Sequence, residues 1–392
     1  MRRAGRAMPL YAVIQAMYFA VYAVMFAYAS AYLLGRGFRS GQIGLLLAAA
    51  NVLAVIGQQG LATFVRRTGA RLCWCMAALF AIVSALSAAL LWLPLRGAAF
   101  AVVLTAAFAI ESALQPAVNS LYRGYEDMGV RMHFSLARGC GSLAYSAVSF
   151  GAGQLLRHMS PGLLPVLYFV PSVVLTGCLL LFDAPNVRVE ASDEAEKHGP
   201  LARRYLYFCV FLVGVALLSV AHVFTETFLL QLLQRVGGTS TSLGTAVGVS
   251  AIMELPAMAL YPLFARRAGN ARLLLFSGWM WAAKWLAIAL APTPGLVCAA
   301  SALQFFGYAL YVPASVRFIA DVLPASEFLR GQALAGSAFT AGNLIASLIG
   351  GQLIDRLGVT AAAMVIQLFS LAGVLCFTAG VLRSVRRGRP AK

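Results

Sequence analysis

Twelve stretches of this chain, each near or above twenty residues, hold almost nothing but apolar side chains. They lie near 10–34, 41–64, 72–93, 98–122, 133–156, 164–182, 205–234, 242–264, 272–291, 295–319, 328–353 and 358–382. A hydrocarbon layer about 30 Å thick is crossed by a helix of about 20 residues. With no water beside it, such a stretch must satisfy its own backbone, which makes it helical. A spanning β-barrel needs shorter segments of alternating polarity, so it is excluded. Charged residues make up only 11% of the 392, against about 25% in soluble domains. The chain therefore reads as an all-α polytopic membrane protein. MRRAGR followed by an apolar run and Ala27-Tyr28-Ala29 resembles a cleavable signal. The apolar part is longer than the usual core of about 7–15 residues, so a retained first span is expected.

The net charge of +17 would suit a nucleic-acid binder, but its distribution points elsewhere. With the N-terminus cytoplasmic, 21 of the 30 Lys and Arg fall in inner segments and 6 in outer loops. The other three, Arg138, Lys284 and Arg317, stand inside apolar stretches. That bias predicts both termini in the cytoplasm, an inner (plasma) membrane location and basic loops against anionic lipid. No nucleic-acid partner is expected. The seven cysteines all lie in or beside apolar stretches and read as small buried hydrophobes. The four histidines, His133, His158, His198 and His222, sit in separate segments without metal-ligand spacing. No phosphate-binding G-x-x-x-x-G-K-(S/T) loop occurs. These features predict no metal, no cofactor and no enzyme chemistry.

The longest polar break, APNVRVEASDEAEKHGPLARR at 184–204, divides the stretches six and six. FVRRTG at 64–69 matches FARRAG at 264–269, and Gly37, Ser40 and Gly44 meet Gly237, Ser240 and Gly244. Pro116-Ala117 resembles Pro313-Ala314, and Gly153-Gln154-Leu155 resembles Gly351-Gln352-Leu353. Matches in one order at nearly one offset indicate a duplicated chain. The expectation is a six-helix bundle over 1–183, a cytoplasmic linker at 184–204, and a second bundle with a basic tail over 205–392. The two would be parallel repeats.

An ionisable side chain in mid-membrane costs roughly 2.5–3.5 kcal/mol on insertion scales, and usually faces water or a partner. The candidates are Glu111, Arg138, His222, Glu226, Glu254, Lys284 and Arg317. Arg138 in SLARGCGSLAYSAVSFG is either a snorkelling cation or a forked donor to substrate hydroxyls or carboxylate, with the following glycines clearing space. His222 and Glu226, four apart, share a helix face and could carry a proton or simply bind one another. Glu254 precedes Pro256 and Glu111 precedes Pro116, where a break in the helix would mark a binding region. Lys284, in WMWAAKW, pairs with an acid or lies on Trp281 and Trp285. Arg317 is expected to pair locally with Asp321.

RGCGSLAY, 138–145, resembles the fifth-helix R-x-x-G-x-x-(G/A)-(W/Y) pattern of the lactose permease-like sugar and nucleoside proton symporters, in the major facilitator superfamily. The resemblance implies the twelve-helix facilitator fold, transport by alternating access, and a sugar-binding role for Arg138. It sets Asn119 of QPAVNS where that branch has a glutamate. It puts Lys284 where the branch has an arginine, and Gln304 and Gly307 where it has a titrating histidine and glutamate. RRTGAR at 66–71 keeps part of the cytoplasmic loop signature of the superfamily.

The function expected is a secondary active transporter, a proton-coupled symporter of a small polar solute such as a sugar, nucleoside or small organic acid. Substrate contacts would fall to Arg138, Asn119, Glu111, Lys284 and Gln304. Proton coupling would fall to His222, Glu226 and Glu254. The alternatives are a proton-driven exporter of amphipathic compounds, a non-transporting receptor or a membrane-embedded enzyme. The expected working form is a monomer in lipid.

Overall fold

A computed structural model describes residues 2–126, 132–182 and 205–388. The linker expected at 184–204 lies outside them. Every regular element among the described residues is helical, and ten helices are long and apolar enough to cross a membrane. The chain forms two compact units, Met1–Glu190 and Ala191–Lys392.

The first unit starts with α1, Arg2–Tyr22, which passes through a five-residue π-helical turn, Ala23–Ala27, into the short α2, Ala29–Gly35. Then come α3, Ser40–Thr68, α4, Leu72–Trp92, α5, Gly97–Ser120, and the single turn α6, Arg123–Glu126. α7, Phe134–Leu155, and α8, Leu164–Leu181, close the unit. Its core is a set of buried aromatics and aliphatics, among them Tyr11, Tyr18, Phe80 and Phe182. Between helices in lipid, close van der Waals packing of such rings, not their removal from water, supplies the association energy.

The second unit follows the same plan. α9, Leu206–Thr227, leads to the short α10, Leu229–Gln234, and then α11, Ser240–Ala268, and α12, Asn270–Leu290. α13, Pro294–Ser301, a 3₁₀ turn, Ala302–Phe305, and α14, Tyr308–Val322, occupy one expected span between them. α15, Ala325–Gly388, joins two expected spans across a bend at Gly358, whose φ of +78° few side chains tolerate.

The sequence repeat reappears in the opening elements of each unit. α3 and α11 are each 29 residues long. Each follows a left-handed glycine, Gly37 at φ +83° and Gly237 at +82°. Each opens with a side chain turned back to the backbone: Arg39 N–H donates to Gln42 Oε1 and Thr239 N–H to Ser242 Oγ. Each ends in an Arg-Arg pair before a second glycine of positive φ, Gly69 and Gly269. The first helices both break near their ends, at Tyr28 and at Phe228, with almost the same backbone angles.

Two differences from the expectation concern the spans. The 133–156 stretch forms a helix, α7, that is not among the ten apolar ones. Four glycines, four serines and Arg138 dilute its apolar character. The other is that 328–353 and 358–382 are one bent element.

Candidate functional site

The densest polar cluster among the described residues lies in the second unit. Lys284, on α12, is buried, and its Nζ donates to Gln304 Oε1 at 2.7 Å and to Ser250 Oγ at 3.3 Å. Gln304 in turn donates from Nε2 to Glu254 Oε1 on α11 at 2.9 Å. The amide thus joins an ammonium on one face to a carboxylate on the other, and uses both its ends. Lys284 also lies 4.0 Å from the centre of the Trp285 ring. Such a contact is worth about 0.5–2 kcal/mol. Of the two alternatives, the ring contact is present with Trp285 and not Trp281, and the acid Glu254 is reached only through Gln304.

Gln304 is placed by a break in its own helix. α13 ends at Ser301, one 3₁₀ turn carries Gln304, and Gly307 adopts φ −88° and ψ −111° before α14 restarts. A Cβ on Gly307 would stand 3.0 Å from the Trp281 Cα, so glycine lets α12 come close. Irregular backbone at membrane depth persists where protein or a polar cavity surrounds it. The breaks expected at Pro116 and Pro256 do not occur. α5 and α11 run through those prolines, since one lost hydrogen bond is tolerated within a packed helix.

One turn of α9 carries the neighbouring pair. His222 Nε2 lies 3.5 Å from Glu226 Oε2. The imidazole is enclosed by Tyr308, stacked at 4.8 Å, by Trp281 and Trp285, and by Phe339. Trp281 Nε1–H donates to His222 Nδ1 at 3.4 Å. Glu226 and Glu254 both lie within electrostatic range of Lys284. His222, Glu226, Glu254, Lys284 and Gln304 thus form one neighbourhood.

The first unit is arranged differently. Arg138 donates from Nη1 to Ser142 Oγ at 2.7 Å, and its guanidinium lies 3.9 Å from the centre of the Phe19 ring. The space that the following glycines clear is taken by that ring, because a Cβ on Gly141 would meet Phe19 Cδ2 at 2.6 Å. Asn119 accepts from Gln15 Nε2 at 3.3 Å, and Gln15 also donates to the Tyr11 hydroxyl. Glu111 is fully buried, and neither carboxylate oxygen has a hydrogen-bond partner among the described residues. The nearby Tyr18 hydroxyl donates to the main-chain carbonyl of Glu111 instead. Arg138, Asn119 and Glu111 therefore share a unit but no hydrogen bond with one another among those described.

Asp321 departs from the expected pairing: its Oδ2 accepts from Asn270 Nδ2 at 3.2 Å, not from Arg317. Sequence reasoning missed Ser250, the aromatic enclosure of His222 and the Gln15 bridge. WMWAAKW was a partial signal for the enclosure, since the i and i+4 tryptophans share a face. Nothing local marks Ser250.

The model of the MFS_1 like family matches residues 11–365. A maltose permease of Geobacillus stearothermophilus is 26% identical over 285 residues, 70% of each chain. The solved nucleoside transporter NupG superposes with a TM-score of 0.78 at 14% identity, over 97% of this chain and 99% of that one. A D-xylose-proton symporter does so with a TM-score of 0.70 at 12% identity, over 98% and 99%. These last two likenesses are of fold.

Proposed function

The chain belongs to the MFS_1 like family, a multi-pass membrane transporter of the major facilitator type, and on that premise we propose that it is a proton-coupled symporter of a small polar solute, working by alternating access in the inner (plasma) membrane. The observation that carries this reading is the ammonium–amide–carboxylate chain Lys284–Gln304–Glu254, its ammonium and amide buried and its carboxylate half-buried among apolar helices. A structural helix packs more cheaply with hydrophobic residues at those places, because burying paired charges rarely stabilises. Retained polar groups inside a span point to a polar cargo or a proton. In this reading Lys284, Gln304, Arg138, Asn119 and Glu111 face the cargo, and Glu226 and Glu254 take the proton, with His222 beside Glu226. The names of the similar proteins, which include a maltose permease and a D-xylose-proton symporter, support a sugar-sized polar solute.

A second reading is favoured by the four aromatic rings around His222: proton-driven export of an amphipathic compound. Purified protein in liposomes carrying an internal pH dye separates the two. Under an inward proton gradient, the first reading expects accumulation of a labelled maltose, xylose or nucleoside, with internal acidification on adding it. Arg138→Ala is expected to abolish that uptake while the protein still inserts. Gradient-driven loss of an amphipathic dye, with no uptake of any polar solute, would replace the first reading with the second.

A further inference from the structure

The contacts of His222 decide which of its nitrogens carries hydrogen. An indole N–H can only donate. Trp281 Nε1–H points at His222 Nδ1, 3.4 Å away, so Nδ1 presents its lone pair and the ring hydrogen sits on Nε2. Nε2–H then faces Glu226 Oε2 at 3.5 Å. A second proton on the ring would have to go to Nδ1, and would break the Trp281 bond in a place walled by Trp285, Tyr308 and Phe339. From α12 the ring also faces the Lys284 ammonium; from α14 it faces Tyr308; on its own helix it faces Glu226. The Glu226 side chain is 52% accessible against 6% for His222, so the carboxylate is open to its surroundings while the ring is enclosed.

We propose that Trp281 holds His222 as the Nε2–H tautomer, which makes His222 a positioning residue for Glu226 and leaves Glu226 as the proton carrier of the pair. This rests on the proton-coupling reading above only for the role of Glu226. The tautomer itself is a statement about the resting protein. His222 does not gain or lose a proton in the cycle. Its Nε2–H, 3.5 Å from Glu226 Oε2, sets where the carboxylate points, and the proton binds and leaves at a Glu226 oxygen.

The test uses full-length protein labelled with ¹⁵N-histidine, in a background where His133, His158 and His198 are replaced. The His222 signals are expected to show a protonated Nε2 and a bare Nδ1 from pH ~5 to ~8, the range in which an ordinary histidine titrates. A protonated Nδ1, or a ring that becomes doubly protonated in that range, overturns the proposal. Trp281→Phe keeps the ring but removes the donor, and is expected to abolish the Nε2–H preference. Unchanged signals in that variant would show that Trp281 is not the cause. Flux provides an independent arm. His222→Gln, whose amide donates but never titrates, is expected to retain substrate-driven proton movement, whereas Glu226→Gln loses it. Loss in His222→Gln as well would make the imidazole a carrier and defeat the proposal. Proton movement that survives Glu226→Gln would defeat the carrier assignment and the coupling reading, and the ¹⁵N spectra would then judge the tautomer alone.

Discussion

The two units repeat one backbone plan and fill it with different chemistry. Tyr22 and Phe26 in the first unit, whose rings stack at 4.4 Å, occupy the places of His222 and Glu226 in the second, 3.5 Å apart. Glu111 stands five residues before Pro116, and Tyr308 stands five before Pro313. α5 is continuous through its proline, whereas the matching span in the second unit is broken at Gln304–Gly307. Arg138, a cation within an apolar stretch of the first unit, rests on a ring and a serine. Lys284, such a cation in the second, is tied through an amide to an acid. A duplicated frame therefore fixes helix lengths, caps and turns. It leaves each half free to place its charges wherever its own packing supplies partners for them.

The largest expected effect tests the first of these exchanges. Glu226→Gln is expected to abolish substrate-driven proton movement in liposomes, and Phe26→Leu, at the equivalent place, to leave it intact. Equal losses in both would erase the distinction between the units. Next, Lys284→Met leaves the buried Gln304 amide oxygen without its donor and the half-buried Glu254 carboxylate without a nearby cation, and should cost about 1–3 kcal/mol in thermal or denaturant unfolding. Glu111→Leu has the opposite sign. It removes a buried carboxyl with no partner, so a gain of about 1–3 kcal/mol is expected, with weaker substrate binding. A loss of stability would mean that the acid is bonded after all. The smallest change belongs to Arg138→Met, which gives up one ring contact and one serine bond, at about 0.5–2 kcal/mol. A cost as large as that of Lys284→Met would show that both cations are wired alike.

Most of the frame was readable in the residues. Long apolar stretches announce helices because lipid offers the backbone no other partner. The motif repeats, FVRRTG with FARRAG above all, recur as matched helix ends with matched glycine angles. Of the site, the identity of its charged members was readable, since Glu226, Glu254 and Lys284 stand out from oil by cost alone. Their partners were not. Gln304 was visible only by analogy, and its bridging role depends on a 3₁₀ turn that contains no proline and no run of glycines. The space beside Arg138 looked open in the sequence and is filled by Phe19, from a helix more than a hundred residues away.

The amino-acid order alone determined that this chain is a bundle of helices in lipid, built from two copies of one design, with a few ionisable groups kept at a cost. Tertiary structure decided which of those groups meet. A helix that is apolar nearly all round has no polar stripe to fix its rotation, so the residues its charged members face are settled only when neighbouring helices pack.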